Sequence, residues 1–491
     1  MQAKKSYLSQ FALKDLPVTS YIDGAFIKET GMGWHPTYDP ASGEVLTAVA
    51  IATEAIVDAA VESSARALKV WRAMLPAERA RALMRVAQLI RRDAEYLAKV
   101  ESLDSGKPLR EAKGDIETSA RYFEYYAGIA DKFEGTSIPL GLNFISFTLR
   151  EAIGVTAHII PWNFPLVTTA RGVAPALAAG CAAVVKPAEQ TPLSALLLGP
   201  IMEEAGIPRG IYNVVTGPGS TTGSSLVSHS MVAHITFTGS VASGKRVMHA
   251  AADHVASVTL ELGGKSPIVV LGDADLDAAA EGVIKAIFTN AGQVCSCGSR
   301  LVVEKSIAPA LLEKVVTTAK AMKGGRGIDN PDLGPLVSDK QLAKVADYVQ
   351  QGRKRGLEIL CGGDFMKVSG LEGGYFYQPT LLMCPDAADP VIQEEIFGPV
   401  LAVQLADDFD EVVALANGTD FGLVAGIYSK DASKGMRFAR DVDAGQVYIN
   451  QYFAGGVETP FGGTRSSGFG REKGLAALQN YSRLKTITSK I

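Results

Sequence analysis

Short apolar runs rich in β-branched residues alternate with helix-like stretches from about residue 153 onwards, and this alternation limits the fold more than any other feature. Strands that are apolar on both faces and spaced by helices indicate a parallel sheet covered on both sides. A second stretch with the same texture runs from about residue 262 to 445. The sequence therefore predicts an α/β protein. The runs are GVTAHII, AAVVK, IYNVV, AHITF, SVTLEL and PIVVL.

The first third of the chain is helix-rich after a short β-like opening at YIDGAF. Within residues 78–100, four apolar residues fall on one face of a helix, with arginine and glutamate elsewhere. A second helical stretch, GDIETSARYFEYYAGIA, follows a Ser-Gly-Lys-Pro break at residues 105–108. The four apolar residues are Leu83, Val86, Ile90 and Leu97.

Two segments lie outside this pattern. Residues 135–153 alternate in polarity as an antiparallel ribbon does, and the chain ends in YSRLKTITSKI, which has the pattern of a strand. This tail has no obvious partner in the sequence. We therefore expect it to contact another subunit, in a homodimer or a homotetramer.

Composition narrows the class of protein. A chain of 491 residues with 47% hydrophobic and 20% charged residues predicts a soluble protein of two or three domains. Its formal charge of −4 gives no electrostatic reason to bind nucleic acid or an anionic membrane, and neither a membrane-spanning run nor a secretory signal is visible. Five scattered cysteines predict a reducing, cytoplasmic location rather than a disulfide framework.

Two of these cysteines lie close together in the segment GQVCSCGSR, residues 292–300. A structural zinc site needs four ligands, but Cys295 and Cys297 have no second pair and no histidine within 40 residues. A thioredoxin-type pair would have two intervening residues rather than one. The remaining alternatives are two packed core thiols or a thiol with a chemical role.

The neighbourhood favours a chemical role. Gly292 and Gly298 bracket the cysteines, so the backbone there can turn tightly. Glu261 ends an apolar strand in ELGGKSP, and Asn163 lies between a strand end and a helix start in PWNFP. A thiol, a carboxylate base and an amide donor are the groups needed to attack a carbonyl and then hydrolyse the adduct.

Seven motifs together resemble the aldehyde dehydrogenase superfamily, and the resemblance runs from YIDGAF to the C-terminus. It implies a Rossmann-like NAD-binding domain (1–134 and 154–260), an α/β catalytic domain (261–445) and an antiparallel oligomerisation ribbon (135–153 and 480–491). Residues 446–479 would return to the NAD-binding domain and the mouth of the active site. In chain order the motifs are PWNFP, KPAEQTP, FTGS, ELGGKSP, GQVC, EEIFGPV and PFGGTRSSGFGRE.

The resemblance also implies roles for the catalytic residues. Cys295 follows Gly-Gln-x, as the family's nucleophile does, and Cys297 is interpreted as a packing thiol. The Asn163 amide would hold the oxyanion, and Glu261 would activate water, giving a free carboxylic acid. Three alternatives stay open: a coenzyme A-acylating enzyme, a thiol hydrolase, and a binding protein without activity. NADH formation and an acid product without coenzyme A would separate them.

The expected cofactor is NAD, although no clean dinucleotide fingerprint is present. The glycine segment at residues 217–223 follows a strand but has one residue too many, so by itself it is a glycine-rich turn. The family binds the dinucleotide without that fingerprint. Gly239 and Ser240 end the next strand and open a helix, where backbone N–H groups and the Ser240 hydroxyl would meet a pyrophosphate.

Two acidic residues are also expected to bind the cofactor. Glu189, beside Lys186, would bind the adenosine ribose and repel a 2′-phosphate, which favours NAD over NADP. Glu395 and Phe397 resemble the family's contacts to the nicotinamide ribose and ring. The predicted cofactor-binding residues are Ile160, Pro161, Trp162, Lys186, Glu189, Gly219, Gly223, Phe237, Gly239, Ser240, Leu262, Glu395 and Phe397.

The substrate is predicted from Arg171 and Phe453. Arg171 lies eight residues after Asn163, where succinate-semialdehyde-type members of the family also carry arginine, and Gly172 replaces a common lysine. A cation near the tunnel would suit a semialdehyde that bears a carboxylate at its far end. The alternatives are an arginine on the outer face of its helix, and an aromatic or aliphatic aldehyde as substrate.

Overall fold

The structure, a computed structural model, describes residues 16–28 and 31–491. The strands are β1 Tyr21–Ile22, β2 Ala25–Phe26, β3 Trp34–Tyr38, β4 Val45–Ala50, β5 Ser137–Ile138, β6 Phe144–Ala152, β7 Val155–Ile159, β8 Ala182–Lys186, β9 Tyr212–Val214, β10 Val232–Thr238, β11 Ser257–Glu261, β12 Pro267–Val270, β13 Arg300–Glu304, β14 Glu358–Cys361, β15 Thr380–Met383, β16 Val400–Ala406, β17 Phe421–Gly422, β18 Val424–Tyr428, β19 Gln446–Ile449, β20 Thr464–Arg465, β21 Gly468–Phe469 and β22 Ser482–Lys490.

The α-helices alternate with the strands in the middle of the chain and dominate the first third. They are α1 Glu54–Ala73, α2 Pro76–Arg92, α3 Ala94–Ser105, α4 Leu109–Ile129, α5 Pro165–Ala179, α6 Leu193–Glu204, α7 Ser224–Val227, α8 Val241–Ala252, α9 Leu276–Phe288, α10 Ala308–Ala321, α11 Asp339–Lys354, α12 Pro390–Gln393, α13 Phe409–Ala416, α14 Ala432–Asp441 and α15 Ala476–Asn480. No helix of the described residues is long and apolar enough to cross a membrane.

The first sheet has eight strands in the order β2-β1-β9-β8-β7-β10-β11-β21, and its five central strands are parallel. Every residue of β7 and β8 is buried, so both faces are covered, as the apolar runs predicted. The chain builds outward from β7 in one direction and then returns to place β10 on its other side. Such a switch in strand order opens a crevice at the carboxyl ends of the strands, where ligands bind in open α/β sheets.

The second sheet has seven strands in the order β14-β15-β16-β13-β12-β18-β19, all parallel except β14. Its last strand, β19, begins at Gln446, so the predicted boundary at residue 445 falls one residue before it. The apolar pattern of β19 is short and only half-buried, which is why the sequence did not mark it as part of the sheet.

The first third contains four helices, α1 to α4, where the pattern marked two helical stretches. The expected helix over residues 78–100 is divided at Asp93, which ends α2 and precedes α3. The four apolar residues predicted on one face are all buried in the first core, so the pattern of burial was correct. The break at 105–108 is confirmed, because Gly106 ends α3 with a left-handed φ of 81° before α4 begins.

The C-terminal tail pairs within its own chain, with the segment that the family resemblance assigned to the same ribbon, although its strand pattern alone had indicated no partner. Strand β22 runs antiparallel to β6 from Ser482 opposite Ala152 to Lys490 opposite Phe144. Strand β5 lies on the other side of β6, so β22 is the edge of this three-stranded ribbon. The two strands lie far apart in the chain, and the pattern of a strand does not by itself identify its partner.

The segment before the tail returns to the first sheet, as the sequence analysis expected. Strand β21 adds antiparallel to β11, with Gly468 opposite Glu261. A side chain at residue 468 would place its Cβ 2.0 Å from the Leu260 carbonyl oxygen, so only glycine permits this approach. The pairing brings residues 471–473 beside Glu261.

Candidate active site

One cavity of about 460 Å³ opens at the carboxyl ends of the first sheet, where the chain crosses to the second sheet. Cys295, Glu261 and Asn163 all line it. The other predicted residues in its wall are Pro161, Trp162, Arg171, Gly239, Ser240, Leu262, Glu395, Phe397 and Phe453. The remaining predicted residues lie outside this wall: Ile160, Lys186, Glu189, Gly219, Gly223 and Phe237.

The two cysteines of GQVCSCGSR face different environments. Cys297 is buried in the second core, whereas Cys295 is only partly buried and lines the cavity. Burial raises the pKa of the Cys295 thiol to about 11, with Glu261 and Glu395 adding to the effect and Arg171 opposing it. At pH 7 only about one such thiol in ten thousand is ionised, so the nucleophile needs a base when it reacts.

The segment before Cys295 has an unusual backbone conformation. Asn290, Ala291 and Gly292 have φ values of 48°, 53° and 74°, so three consecutive residues adopt the left-handed region. For the two non-glycine residues this costs about 1–2 kcal/mol each. Glu111 of α4 accepts a hydrogen bond from the Asn290 N–H at 3.0 Å and stabilises the first residue of this run.

Side-chain amides fix the same segment from the other side. The Asn163 amide donates to the Gln293 carbonyl at 2.8 Å, and the Asn290 amide donates to the Asn163 carbonyl at 3.2 Å. The Gln293 amide oxygen accepts from Val337 N–H at 2.8 Å. One N–H of the Asn163 amide is therefore used to hold the loop, and its second N–H remains as a donor at the cavity.

Glu261 is 2% exposed, and neither of its carboxylate oxygens has a hydrogen-bond partner among the described residues. Burial and the nearby Glu472 carboxylate raise its pKa well above the usual range, while Arg171 opposes this. A buried carboxyl without a partner is costly in a purely structural position. Together with its place in the cavity wall, this makes Glu261 a strong candidate for a catalytic acid or base.

Arg171 is buried and forms an ion pair with Glu472. Its guanidinium also donates to the Thr238 hydroxyl at 3.2 Å. The alternative of an arginine on the outer helix face is therefore wrong. The expected role as a free cation is corrected as well, because Glu472 already balances its charge. The position of Glu472 depends on β21 and could not be derived from the pattern around Arg171.

The predicted adenosine side of the cofactor site lies at the carboxyl end of β8. Lys186 is buried and forms an ion pair with Glu189 at 3.5 Å. A side chain at Gly219 or Gly223 would approach Lys186, with Cβ distances of 3.9 Å and 3.5 Å to its side-chain atoms. These residues therefore lie together, and the glycines leave a cradle that a larger residue would narrow.

The predicted nicotinamide side lies across the cavity. Glu395 accepts a hydrogen bond from Gly264 N–H at 3.0 Å, and a side chain at Gly263 would meet the same carboxylate at 2.4 Å. Phe397 has a φ of 62° and packs edge-on against Trp162, with ring centroids 5.2 Å apart. One strained backbone position, at Phe397, and a glycine requirement at residue 263 thus accompany these groups beside the cavity.

The Ser240 hydroxyl differs from its predicted role. It accepts a hydrogen bond from Ser243 N–H at 3.3 Å and donates to the Ser243 hydroxyl, so it caps the N-terminus of α8. Helix α8 still points its first N–H groups at the carboxyl edge of the sheet, where an anion would be stabilised. The donor set and the glycine cradle fit a dinucleotide.

Comparison with known proteins decides the family. The family model described as "Aldehyde dehydrogenase family" matches residues 26–487. The chain belongs to the aldehyde dehydrogenase family. The curated betaine aldehyde dehydrogenase of Brucella anthropi is 41% identical over 469 residues, which cover 95% of this chain and 96% of that protein. The resemblance seen in the motifs is therefore confirmed.

Solved structures agree with this assignment. An aldehyde dehydrogenase from Bacillus cereus in complex with NAD+ is 39% identical, with a TM-score of 0.95 over 99% of each chain. An indole-3-acetaldehyde dehydrogenase in complex with NAD+ is 36% identical, with a TM-score of 0.96 over 99% of each chain. The expected aldehyde dehydrogenase fold is confirmed, and the protein is an NAD(P)-dependent oxidoreductase acting on an aldehyde.

Sequence reasoning missed three residues of this aldehyde dehydrogenase. Glu111 accepts a hydrogen bond from the backbone segment before the nucleophile, and Glu472 forms the ion pair with Arg171. Lys473 lines the cavity. The last two directly follow Arg471 in the motif PFGGTRSSGFGREK, where a dense run of charges after glycines was a visible indication. Nothing around Glu111 distinguishes it from a helix-surface acid.

Replacing Glu111 tests its hold on the nucleophile loop. In Glu111→Ala the buried Asn290 N–H loses its acceptor, which costs about 1–3 kcal/mol and lets the strained segment relax. We expect kcat to fall at least tenfold and alkylation of Cys295 by iodoacetamide to slow, while Glu111→Gln restores most of both. Glu117→Ala, on the exposed face of α4, is the matched control. Unchanged kcat and alkylation in Glu111→Ala would contradict this role.

Proposed function

We propose that this enzyme oxidises an aldehyde to the free carboxylic acid with NAD, using Cys295 as nucleophile, Asn163 as oxyanion donor and Glu261 as base. The observation that supports this most directly is the buried, unpartnered Glu261 carboxyl in the same cavity wall as the partly exposed Cys295 thiol. An acid in that position has a use in catalysis and none in packing.

The first half of the reaction forms a bond to sulfur. The Cys295 thiol gives its proton to solvent water, and the thiolate attacks the aldehyde carbon, which gives the anion of a thiohemiacetal. The Asn163 amide and the Cys295 backbone N–H donate to the oxyanion that develops. NAD, when bound, supplies the acceptor for the hydride that leaves this carbon, and the carbon remains on Cys295 as a thioester.

The second half releases the acid. Glu261 takes a proton from a water molecule, which attacks the thioester carbon and breaks the carbon–sulfur bond. Burial raises the pKa of Glu261, and the positive charges of Arg171, Arg471 and Lys473 counteract this. A carboxyl with a raised pKa is a stronger base once ionised. A coenzyme A-acylating enzyme would need no such base, so the hydrolytic reaction is favoured.

Replacing Glu261 with glutamine tests this function. Because glutamine cannot take a proton from water, Glu261→Gln should give a burst of NADH of one equivalent per active site, followed by a steady rate at least tenfold lower. Mass spectrometry should then detect an acyl group on Cys295. Wild-type enzyme should yield acid without coenzyme A. Loss of the burst together with the steady rate would instead place Glu261 before hydride transfer.

We infer a preference for NAD over NADP from Glu189. Lys186, Glu189, Gly219 and Gly223 would hold the adenosine ribose and pyrophosphate, and Glu395 with Phe397 the nicotinamide end. The Glu189 carboxylate can accept hydrogen bonds from ribose hydroxyls and repels a 2′-phosphate. Its ion pair with Lys186 holds this carboxylate at the end of β8.

Glu189→Ser should therefore relax the preference. Removal of the carboxylate should raise the NADP/NAD ratio of kcat/KM at least tenfold, which corresponds to about 1.4 kcal/mol. Steady-state kinetics with both cofactors measures the ratio, with Glu203→Ser as a control for loss of a distant surface acid. A ratio within twofold of wild type would place Glu189 away from the ribose.

For the substrate we propose a semialdehyde that carries a carboxylate, such as succinate semialdehyde. The relatives bear names that refer to betaine aldehyde and to indole-3-acetaldehyde, so the family alone does not choose. Arg171 cannot be the free anchor for the carboxylate, since Glu472 pairs with it. Phe453 lines the cavity, and the wall contains other charged residues that can bind the substrate carboxylate.

We also propose that the ribbon joins copies of the chain in a homodimer or a homotetramer. Strand β22 is an edge strand with exposed side chains, among them Leu484 at 58% exposure, and Ile491, which follows the strand, is 68% exposed. On the same ribbon, Ile145 and Leu149 are 52% and 43% exposed. An apolar edge strand is unfavourable in a monomer and is usually covered.

Leu484→Asp should weaken this assembly. Light scattering should give wild-type protein a mass of two or four chains, and the variant should shift towards one chain, because burying a carboxylate in an apolar interface is unfavourable. Lys354→Asp, on the exposed C-terminal end of α11, controls for added charge. A wild-type mass of one chain would overturn the proposal.

A further inference from the structure

Lys473 carries a positive charge in the cavity wall that the protein does not balance. Its Nζ lies 5.5 Å from the centroid of the Phe461 ring, and the residue lines the same cavity as Cys295. Lys473 forms no ion pair with any acidic side chain in the part of the chain that the structure describes. Burial and the charge of Arg171 lower its pKa to about 8, and the carboxylates of Glu472, Glu458 and Glu261 oppose this without reversing it.

Two of the three carboxylates near Lys473 form ion pairs with other residues. Glu472 pairs with Arg171, and Glu458 pairs with Arg121 at 2.5 Å. Burial raises the pKa of the third, Glu261, which disfavours its charged form. Lys473 thus lines the cavity as a cation without an ion-pair partner among the described residues, and an anion entering the cavity would be attracted to it.

The backbone holds Lys473 in this position. Its φ is 62° and that of Gly474 is 55°, so two consecutive residues adopt the left-handed region. Phe461 and Glu472 exchange backbone hydrogen bonds at 2.7 Å and 2.8 Å just before the turn. The Gly474 N–H donates to Val457 at 2.8 Å, and the Tyr126 hydroxyl donates to the Gly474 carbonyl at 3.0 Å. A surface lysine does not need such support.

The rest of this part of the wall is apolar or charge-balanced. Aromatic and aliphatic side chains make up most of this part of the wall. Its acidic residue, Asp115, forms an ion pair with Lys107 at 2.5 Å. Such a wall fits methylene groups or a ring, and its aromatic faces can also contact a quaternary ammonium group, so selection against a cationic aldehyde would come from repulsion by Lys473. The apolar lining residues are Tyr122, Phe164, Val167, Phe453 and Phe461.

We propose that Lys473 binds a carboxylate at the end of the substrate remote from its aldehyde, so that the enzyme selects ω-oxo acids over neutral and cationic aldehydes. This inference rests on the proposed aldehyde oxidation at Cys295. It assigns to Lys473 the anchoring role that the sequence analysis expected of Arg171. An ammonium group donates to a carboxylate from several directions, and loss of water on binding strengthens the pair.

The test compares matched aldehydes in three variants. The ω-oxo acids of four, five and six carbons are assayed against butanal, pentanal and hexanal, and betaine aldehyde serves as the cationic probe. For wild type we expect the highest kcat/KM with one of the oxo acids. Lys473→Met should lower the oxo acid/alkanal ratio of kcat/KM at least tenfold for that length, mainly through KM. Lys473→Arg should keep the ratio within about threefold, and Lys354→Met is the surface control.

A second measurement does not depend on turnover. Succinate, glutarate and adipate are titrated against the wild-type holoenzyme and Lys473→Met by calorimetry, with butyrate as the singly charged reference. Tighter binding of a dicarboxylate that is lost in Lys473→Met supports the proposal even if no aldehyde is turned over. Equal ratios in wild type and Lys473→Met, or a wild type that prefers betaine aldehyde, would overturn it. Loss of NADH formation with every aldehyde would refute the proposed oxidation instead.

Discussion

A buried ion pair between Arg171 and Glu472 connects the parts of the molecule that form the active site. Arg171 belongs to α5, which packs on the first sheet, and Glu472 belongs to the segment that returns after β21. Removing one partner of such a pair leaves a buried charge and typically costs about 3–5 kcal/mol. The pair therefore fixes the return segment beside Glu261 and sets the position of Lys473, which follows Glu472 directly.

The same pair shapes the electrostatics of the catalytic groups. Arg171 lowers the pKa values of Glu261 and Cys295, whereas burial raises both more strongly. At pH 7 the Cys295 thiol is therefore largely protonated, and the pKa of the Glu261 carboxyl is shifted in the same upward direction. Burial in a poorly solvated cavity disfavours the charged form of each group.

Strained backbone recurs around the cavity and has a consistent explanation. Residues with positive φ precede Cys295, and others occur at Phe397, Phe453 and Lys473. All four positions place a side chain or a thiol at the cavity rather than in a core. Each costs free energy, and the hydrogen bonds of Glu111, Gln341 and Tyr126 hold the adjoining backbone. Rigid positioning is what a site needs to hold a carbonyl at bonding distance from sulfur.

The sequence by itself determined the two parallel sheets, because uninterrupted apolar runs at helix spacing can be satisfied only by burial on both faces. It also indicated Cys295, Glu261 and Asn163 as candidate site residues, because they lie at strand ends and turns in motifs that resemble those of the family. It did not determine which long-range partners meet. The pairing of β22 with β6, the ion pair of Arg171 with Glu472, and the contact of Glu111 with Asn290 all join residues far apart in the chain. Local pattern carries no information about such partners, so only the tertiary structure decided that Arg171 pairs with Glu472 and that Lys473 lines the cavity without an ion pair to any described residue.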